Sequence, residues 1–173
     1  MYVKTRRLEL KSMAEADRET LTELFTDPLV CQTYMVPEFA HRGEAEPLAE
    51  RVILLSQDPS RNVAGIYRNG QLIGILNQTD ALDDTVEVGY ALLPRDWGQG
   101  YATEALTAAI SAFFAQGFQE VLAGAFEENT ASIRVMIKSG MTLIDRRDVV
   151  SYRGKEYLCV YYSAKNPALG GAT

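Results

Sequence analysis

The tightest constraint on this chain lies between Glu87 and Phe114, where a strand runs into a glycine turn and the turn into a helix. Thr85 to Leu93 is rich in strand formers. Alternation puts Val86, Val88, Tyr90 and Leu92 on one face and Glu87, Gly89, Ala91 and Leu93 on the other. The second face carries a carboxylate followed by two residues with almost no side chain, which leaves room for something other than protein. Pro94 cannot donate to a sheet ladder and ends the strand, and Trp97-Gly98-Gln99-Gly100-Tyr101-Ala102 turns the backbone towards a helix. Leu106, Ala109, Ile110, Phe113 and Phe114 then fall at i, i+3, i+4, i+7 and i+8, the apolar stripe of a helix lying on a sheet, and Gly117 supplies the stop. Glycines at a helix start admit an anion to bare backbone, where unpaired N–H groups and the helix dipole attract it. The dipole contributes about 0.3–2 kcal/mol and each hydrogen bond to a charged oxygen roughly 1.5–3 kcal/mol, so three or four amides suffice to hold a phosphate. Glu104 in the same first turn would repel that phosphate and is expected to point aside.

The rest of the chain sets bounds on function. Its 173 residues suit one domain, 1–173, that buries about two thirds of its unfolded surface, with a core over 5–163 and a flexible tail over 164–173. A composition of 47% hydrophobic and 23% charged residues fits a soluble globular protein. The net charge of -6 argues against a nucleic-acid footprint and favours cationic small molecules or basic peptides. Cys31 and Cys159 stand in no metal or redox spacing and read as reduced, partly buried thiols, which gives a cytoplasmic address. The N-terminus has charge without an apolar stretch behind it, so it does not read as a signal peptide, and no run approaches the ~20 apolar residues of a membrane span. His41 is the single histidine. Zinc chemistry and a Ser-His-Asp triad therefore lack their usual parts, and no metal is expected.

In order, Thr5 to Met13 predicts an opening strand, Ala14 to Thr26 a helix ended by Asp27-Pro28, and Leu29 to Phe39 an irregular segment, either a substrate-side loop or a packed connector. Glu44 to Gln57 predicts a second helix. Asn62 to Tyr67 and Leu72 to Gln78 flank Asn69-Gly70, a strong hairpin signal, and Asp80 to Asp84 turns into the central strand. After the long helix, Glu120 to Phe126 predicts a strand. Asn129 opens a shorter helix with Ile133, Met136 and Ile137 spaced for burial, and Thr142 to Val150 with Glu156 to Tyr162 forms a last hairpin.

A glycine loop alone has several readings. As a dinucleotide fingerprint, Gly98-x-Gly100-x-x-Thr103 lacks the third glycine and follows antiparallel strands, and Glu120 precedes its strand instead of ending it. A Walker loop needs Gly-Lys-Ser/Thr, which is absent. Taken with Asn129-x-x-Ser132-x-x-Val135-x-x-Lys138-x-Gly140-Met141, the loop resembles the GNAT superfamily of acetyl-CoA-dependent N-acetyltransferases, and the RimJ/RimL-like branch in particular. The resemblance runs from Arg6-Arg7-Leu8 to the last hairpin, and its specific part is Glu87 to Met141. In that family Arg/Gln-x-x-Gly-x-Gly/Ala binds the pyrophosphate of the cofactor. The match here is Trp97-x-x-Gly100-x-Ala102, with tryptophan in place of the usual first residue.

The resemblance implies roles for individual residues. Backbone groups of Trp97, Gly98, Gln99, Gly100, Tyr101, Ala102 and Thr103 would hold the pyrophosphate of acetyl-CoA, the cosubstrate. Leu92 and Leu93 would pair by backbone with the pantetheine arm, whose length is comparable to the about 20 Å from Glu87 to Leu93. Asn129 would hydrogen-bond the pantetheine. Lys138 would approach the adenosine phosphates or remain a solvated lysine. Acetyl transfer to an amine of pKa near 10.4 needs a base, and the leaving thiolate needs a proton. Glu87, expected to be raised towards neutrality by partial burial, is the candidate base, acting through water, or else a cross-strand ion-pair partner. Many family members use a tyrosine as acid where this chain has Met136, and a thioether has no proton to give. Ser132, one turn earlier, would then donate to the departing sulfur, as the resemblance to that branch implies, or simply cap or pack its helix. If neither acts, proximity and orientation carry the rate, and solvent protonates the thiolate.

The expectation is an α/β (α+β) fold: one GNAT-type domain with a mixed, mostly antiparallel sheet of about seven strands, about four flanking helices and a splayed central pair. The function expected is N-acetyl transfer to a primary amine, a protein N-terminus or a small amine such as a polyamine or amino sugar, by direct attack in a ternary complex. The alternatives are an acetyl-CoA-binding sensor or scaffold of the same fold and, further off, a Rossmann-like oxidoreductase. No nucleic-acid or membrane partner is expected, and both monomer and homodimer stay open.

Overall fold

The computed structural model describes residues 1–168. Among these, eight strands and four α-helices follow in the order β1 (Val3–Lys4), β2 (Glu9–Lys11), α1 (Arg18–Thr26), α2 (Glu46–Gln57), β3 (Val63–Arg68), β4 (Gln71–Leu82), β5 (Thr85–Leu92), α3 (Tyr101–Ala115), β6 (Glu120–Phe126), α4 (Thr130–Lys138), β7 (Thr142–Tyr152) and β8 (Lys155–Lys165). The strands form one sheet ordered β1-β2-β3-β4-β5-β6-β8-β7. Every neighbouring pair is antiparallel except β5 and β6, which α3 connects in parallel. The mixed, mostly antiparallel sheet is as expected.

Several boundaries differ from the sequence expectation for local reasons. The opening strand is two short ones, because Thr5 turns the chain: its amide donates to the Leu8 carbonyl at 2.9 Å and its Oγ1 accepts from the Leu8 amide. This split gives eight strands where about seven were expected. Single 3-10 turns at Glu15–Asp17 and Arg42–Ala45 precede α1 and α2. β4 runs on to Leu82, since Asp80, Ala81 and Leu82 pair with Glu87, Val86 and Thr85, so the turn is confined to Asp83-Asp84. The last hairpin is longer than its apolar run and reaches Lys165. The supposed tail therefore begins inside a strand, Asn166 still donates its amide to Gln119, and positions 169–173 lie outside the described residues.

Period-2 alternation divides the apolar residues between the two faces of the sheet. Leu8, Leu10, Ile66, Leu76, Val86, Val88 and Leu92 are buried on the face covered by α3 and α4, against Leu106, Ile110, Phe113 and Met136. Met13, Val63, Tyr67, Ile75, Ala91 and Leu93 are buried on the other face, with Leu21, Leu24 and Phe25 of α1 and Ala49 and Ile53 of α2. β5 contributes to both layers, as its alternation predicts.

The feature that positions the site is where the parallel pairing ends. β5 and β6 register at Thr85↔Glu120, Val86↔Val121 and Glu87↔Leu122, and then part. β5 continues beside β4 as far as Gly74↔Leu92, and β6 continues beside β8 as far as Phe126↔Cys159. Each half is held by its outer neighbour while the inner edges diverge. The sheet opens into a fork with Glu87 at its root and the α3 turn at its mouth.

Candidate functional site

The fork continues into a cleft of about 670 Å³, within the range of small-molecule sites. At its mouth Gly98 and Gly100 hold φ of 74° and 78°, a left-handed conformation that costs side-chain-bearing residues. The α3 N-terminus at Gly100 has no side-chain cap. Among the described residues, the amides of Gly98, Gln99, Gly100, Tyr101, Ala102 and Thr103 donate to no protein acceptor; Glu104 supplies the first intrahelical bond, to the Gly100 carbonyl. Six main-chain donors at the positive end of a helix dipole, five of their residues lining the cleft, form an anion cradle that fits a diphosphate.

Glu104 points away from that cradle. Its carboxylate accepts from Thr5 Oγ1 at 2.6 Å, the Arg7 amide at 2.9 Å and Arg7 Nε at 2.6 Å. Arg7 Nη1 also donates to the Gln99 carbonyl at 3.0 Å, and its guanidinium lies 4.6 Å from the Tyr101 ring centroid. Burial would raise the Glu104 carboxyl, but the bonds from Thr5 and Arg7 outweigh it and hold the carboxyl below its usual range. The charge that threatened to repel a phosphate is thereby neutralised, and the β1–β2 turn braces the loop.

Leu92 and Leu93 behave differently from one another. The Leu93 amide donates to Ile73 at 2.9 Å and its carbonyl accepts from Asp96 at 2.9 Å. Both backbone groups are engaged and its side chain is fully buried, which corrects the expectation that Leu93 pairs with a ligand. Leu92, one residue earlier on an alternating strand, turns its polar groups to the fork. Its carbonyl accepts from the Trp97 indole Nε1 at 2.8 Å, so the single tryptophan ties the turn back onto β5.

α4 forms the opposite wall. Asn129 caps it by accepting from the Ser132 amide at 3.1 Å. Ser132 is half-buried, and its Oγ lies 2.8 Å from the Tyr90 hydroxyl. Tyr90 reaches across from β5, and burial, partly offset by the bond with Ser132, pushes its phenol up to about 12. Met136, at the position where a tyrosine was sought, is fully buried and packs the core. Lys138, exposed at the end of α4, lines the cleft and makes no ion pair among the described residues.

Glu87 lines the cleft at the root of the fork and faces Arg146, whose Nη1 is 3.1 Å from Glu87 Oε2. Arg146 comes from β7, two strands beyond β6, within an irregularity between Leu143 and Arg147. Its guanidinium lies 3.8 Å from the Tyr161 ring centroid and also pairs with Asp148 at 3.0 Å. Nothing in the local pattern of β7 pointed to this contact.

On the far side, residues 29–35 close the cleft. Tyr34 donates its hydroxyl to Asn77 Oδ1 at 2.9 Å, and burial pushes its phenol well above the usual range. The same segment is tied to the last hairpin: Tyr152 donates to the Cys31 carbonyl at 2.9 Å and accepts from Arg153 Nε at 2.9 Å. Leu29 and Met35 remain half exposed at the cleft edge. Residues 29–39 combine features of both sequence readings: Val30, Cys31 and Val36 pack into the core, and Leu29, Gln32, Thr33, Tyr34 and Met35 line the cleft.

Free amides at a helix start, a strand fork long enough for an extended arm and a carboxylate at the fork's root suit a transferase that takes its acyl group from a nucleotide-linked thioester. The family model for acetyltransferase (GNAT) domains matches residues 7–142, and the chain belongs to that family. The uncharacterized N-acetyltransferase YoaA of Bacillus subtilis is 27% identical over 143 residues, covering 80% of this chain and 81% of that protein. Two solved structures share the fold: RimL, a ribosomal L7/L12 alpha-N-protein acetyltransferase in complex with coenzyme A, and the microcin C7 self-immunity acetyltransferase MccE in complex with acetyl-CoA and AMP. The first has a TM-score of 0.81 at 19% identity, covering 97% of this chain and 99% of that one. The second has a TM-score of 0.79 at 18% identity, covering 94% of each. The chain is an acetyltransferase of that family. Among the described residues, no helix is long and apolar enough to cross a membrane.

Proposed function

We propose that the protein transfers the acetyl group of acetyl-CoA to a primary amine, a protein N-terminal amine or a small amine, by direct attack in a ternary complex. The observation that carries this reading is the fork: it opens at Glu87, so a carrier whose diphosphate sits on the α3 amides reaches the carboxylate with its acyl end. The amides of residues 98–103 hold the diphosphate, Leu92 offers its backbone to the arm, Asn129 binds the arm from α4, and Lys138 neutralises the outer phosphates. Glu87 takes the proton that the amine loses as it attacks the acetyl carbon, directly or through water. The net charge of -6 favours a cationic acceptor. Ser132 donates its hydroxyl to the leaving sulfur.

The Glu87–Arg146 ion pair supports a second reading, a protein that binds acetyl-CoA without transferring its acyl group. A free-thiol release assay against N-terminal peptides, polyamines and aminoglycosides separates the two. Transfer predicts turnover with at least one class and, in Glu87→Gln, a kcat lowered by roughly 10²–10⁴-fold with coenzyme A affinity retained. Binding of coenzyme A without turnover on any amine would leave the sensor.

A further inference from the structure

Tyr90 and Ser132 face each other across a gap that no backbone pairing closes. Tyr90 lies on β5 beyond the last parallel pair, Ser132 on the first turn of α4, and both line the cleft. The Tyr90 hydroxyl has two partners, Ser132 Oγ at 2.8 Å and the Ser132 carbonyl at 3.2 Å. No other group among the described residues bonds the Ser132 hydroxyl. Alternation places Tyr90 on the opposite face of β5 from Glu87, about three residues or ~10 Å along the strand.

We propose that Tyr90 is a positioning residue that sets the direction of the Ser132 proton, so that Ser132 donates into the fork and holds the departing thiolate. This rests on the acetyl-transfer reading above. A hydroxyl carries one proton. When the Tyr90 proton goes to the Ser132 carbonyl, Ser132 donates to Tyr90 and has nothing for a ligand. When it goes to Ser132 Oγ, that oxygen is satisfied as an acceptor and its own proton turns into the cleft. Negative charge growing on sulfur favours the second arrangement, and the buried phenol, reluctant to ionise, stays a donor throughout.

The transfer step balances without a proton from either hydroxyl. The amine nitrogen bonds to the acetyl carbon, the carbon–sulfur bond breaks with its electron pair going to sulfur, and the amine proton passes to Glu87. The thiolate leaves hydrogen-bonded to Ser132 and is protonated by water. Base and donor thus serve the two ends of the reacting bond from opposite faces of one strand. A tyrosine on α4 becomes unnecessary, which accounts for a buried methionine at Met136.

The test is the ionisation of the thiol of bound coenzyme A, followed by thiolate absorbance in the ultraviolet, which needs no acceptor. In the wild type the thiol titrates about one pH unit below free coenzyme A, the size of one hydrogen bond to a charged acceptor. Tyr90→Phe, which keeps the ring, and Ser132→Ala each abolish that shift, and the double variant does no more than either alone. In turnover, Tyr90→Phe lowers kcat about tenfold with KM for acetyl-CoA unchanged. A Tyr90→Phe thiol that titrates like the wild type, or a loss confined to KM, overturns the proposal while leaving acetyl transfer intact. A shift absent even in the wild type overturns the thiolate role of Ser132. Failure of coenzyme A to bind at all overturns the functional reading, and this proposal with it.

Discussion

Gly74 shows how little space a single position can leave. A Cβ there would lie 2.1 Å from the Ala91 carbonyl oxygen and 2.6 Å from Leu92 Cδ2, so the strand that carries Glu87 and Tyr90 would have to move. Gly74→Ala is expected to cost about 1–3 kcal/mol, read as a lowered urea midpoint. Glu104 gives a pH signature. Its carboxyl is held below the ordinary value of 4.5, so its contribution is complete above that value and is lost as the pH falls through the lower folded value. The thermal midpoint of Glu104→Gln should trail the wild type at neutral pH, and the gap should close below pH 4.5. At this scale the sequence was legible where backbone does the work. The free amides of the Gly98 to Thr103 turn follow from the glycines and the missing cap. It was illegible where side chains meet from remote segments: Glu104 was expected aside, but not against Arg7, and neither Arg146 beside Glu87 nor Tyr90 beside Ser132 is encoded in any local spacing.

Among the elements, the last hairpin acts beyond its own strands. Tyr152 at the end of β7 holds the Cys31 carbonyl, and the stacked rings of Phe126 and Tyr157, with centroids 4.3 Å apart, support it from beneath. Tyr152→Phe should therefore loosen residues 29–35 and raise KM for the amine roughly 2- to 10-fold, the worth of one neutral hydrogen bond, with KM for acetyl-CoA unchanged. Steady-state kinetics with each substrate varied in turn checks this. Periodicity located every helix and most strands because their buried faces are continuous. It failed at ends governed by pairing partners: β4 and β8 run past their apolar stretches because β5 and β6 offer free ladder positions. Leu93 was misread for the same reason, since its backbone commitments belong to Ile73 and Asp96.

For the molecule as a whole, the fork leaves two half-sheets joined through three registered pairs of one parallel ladder. A ligand lying along both inner edges links them. Acetyl-CoA at a hundred times its dissociation constant should stabilise the fold by about 2.7 kcal/mol, a rise of roughly 5–10 °C in thermal midpoint for a chain of this size. NADH at the same concentration should give none. The mixed topology and the splay were expected from the family resemblance that the mid-chain strand, glycine turn and helix carry, whereas the extra edge strand at β1 was hidden in a turn set by Thr5. Trp97 has a consequence of its own. It is the chain's one indole, nearly half exposed and hooked onto the Leu92 carbonyl at the rim of the cradle. On the proposed reading all the tryptophan emission of this protein originates beside the bound diphosphate, so the unmodified enzyme carries its own optical reporter of donor occupancy.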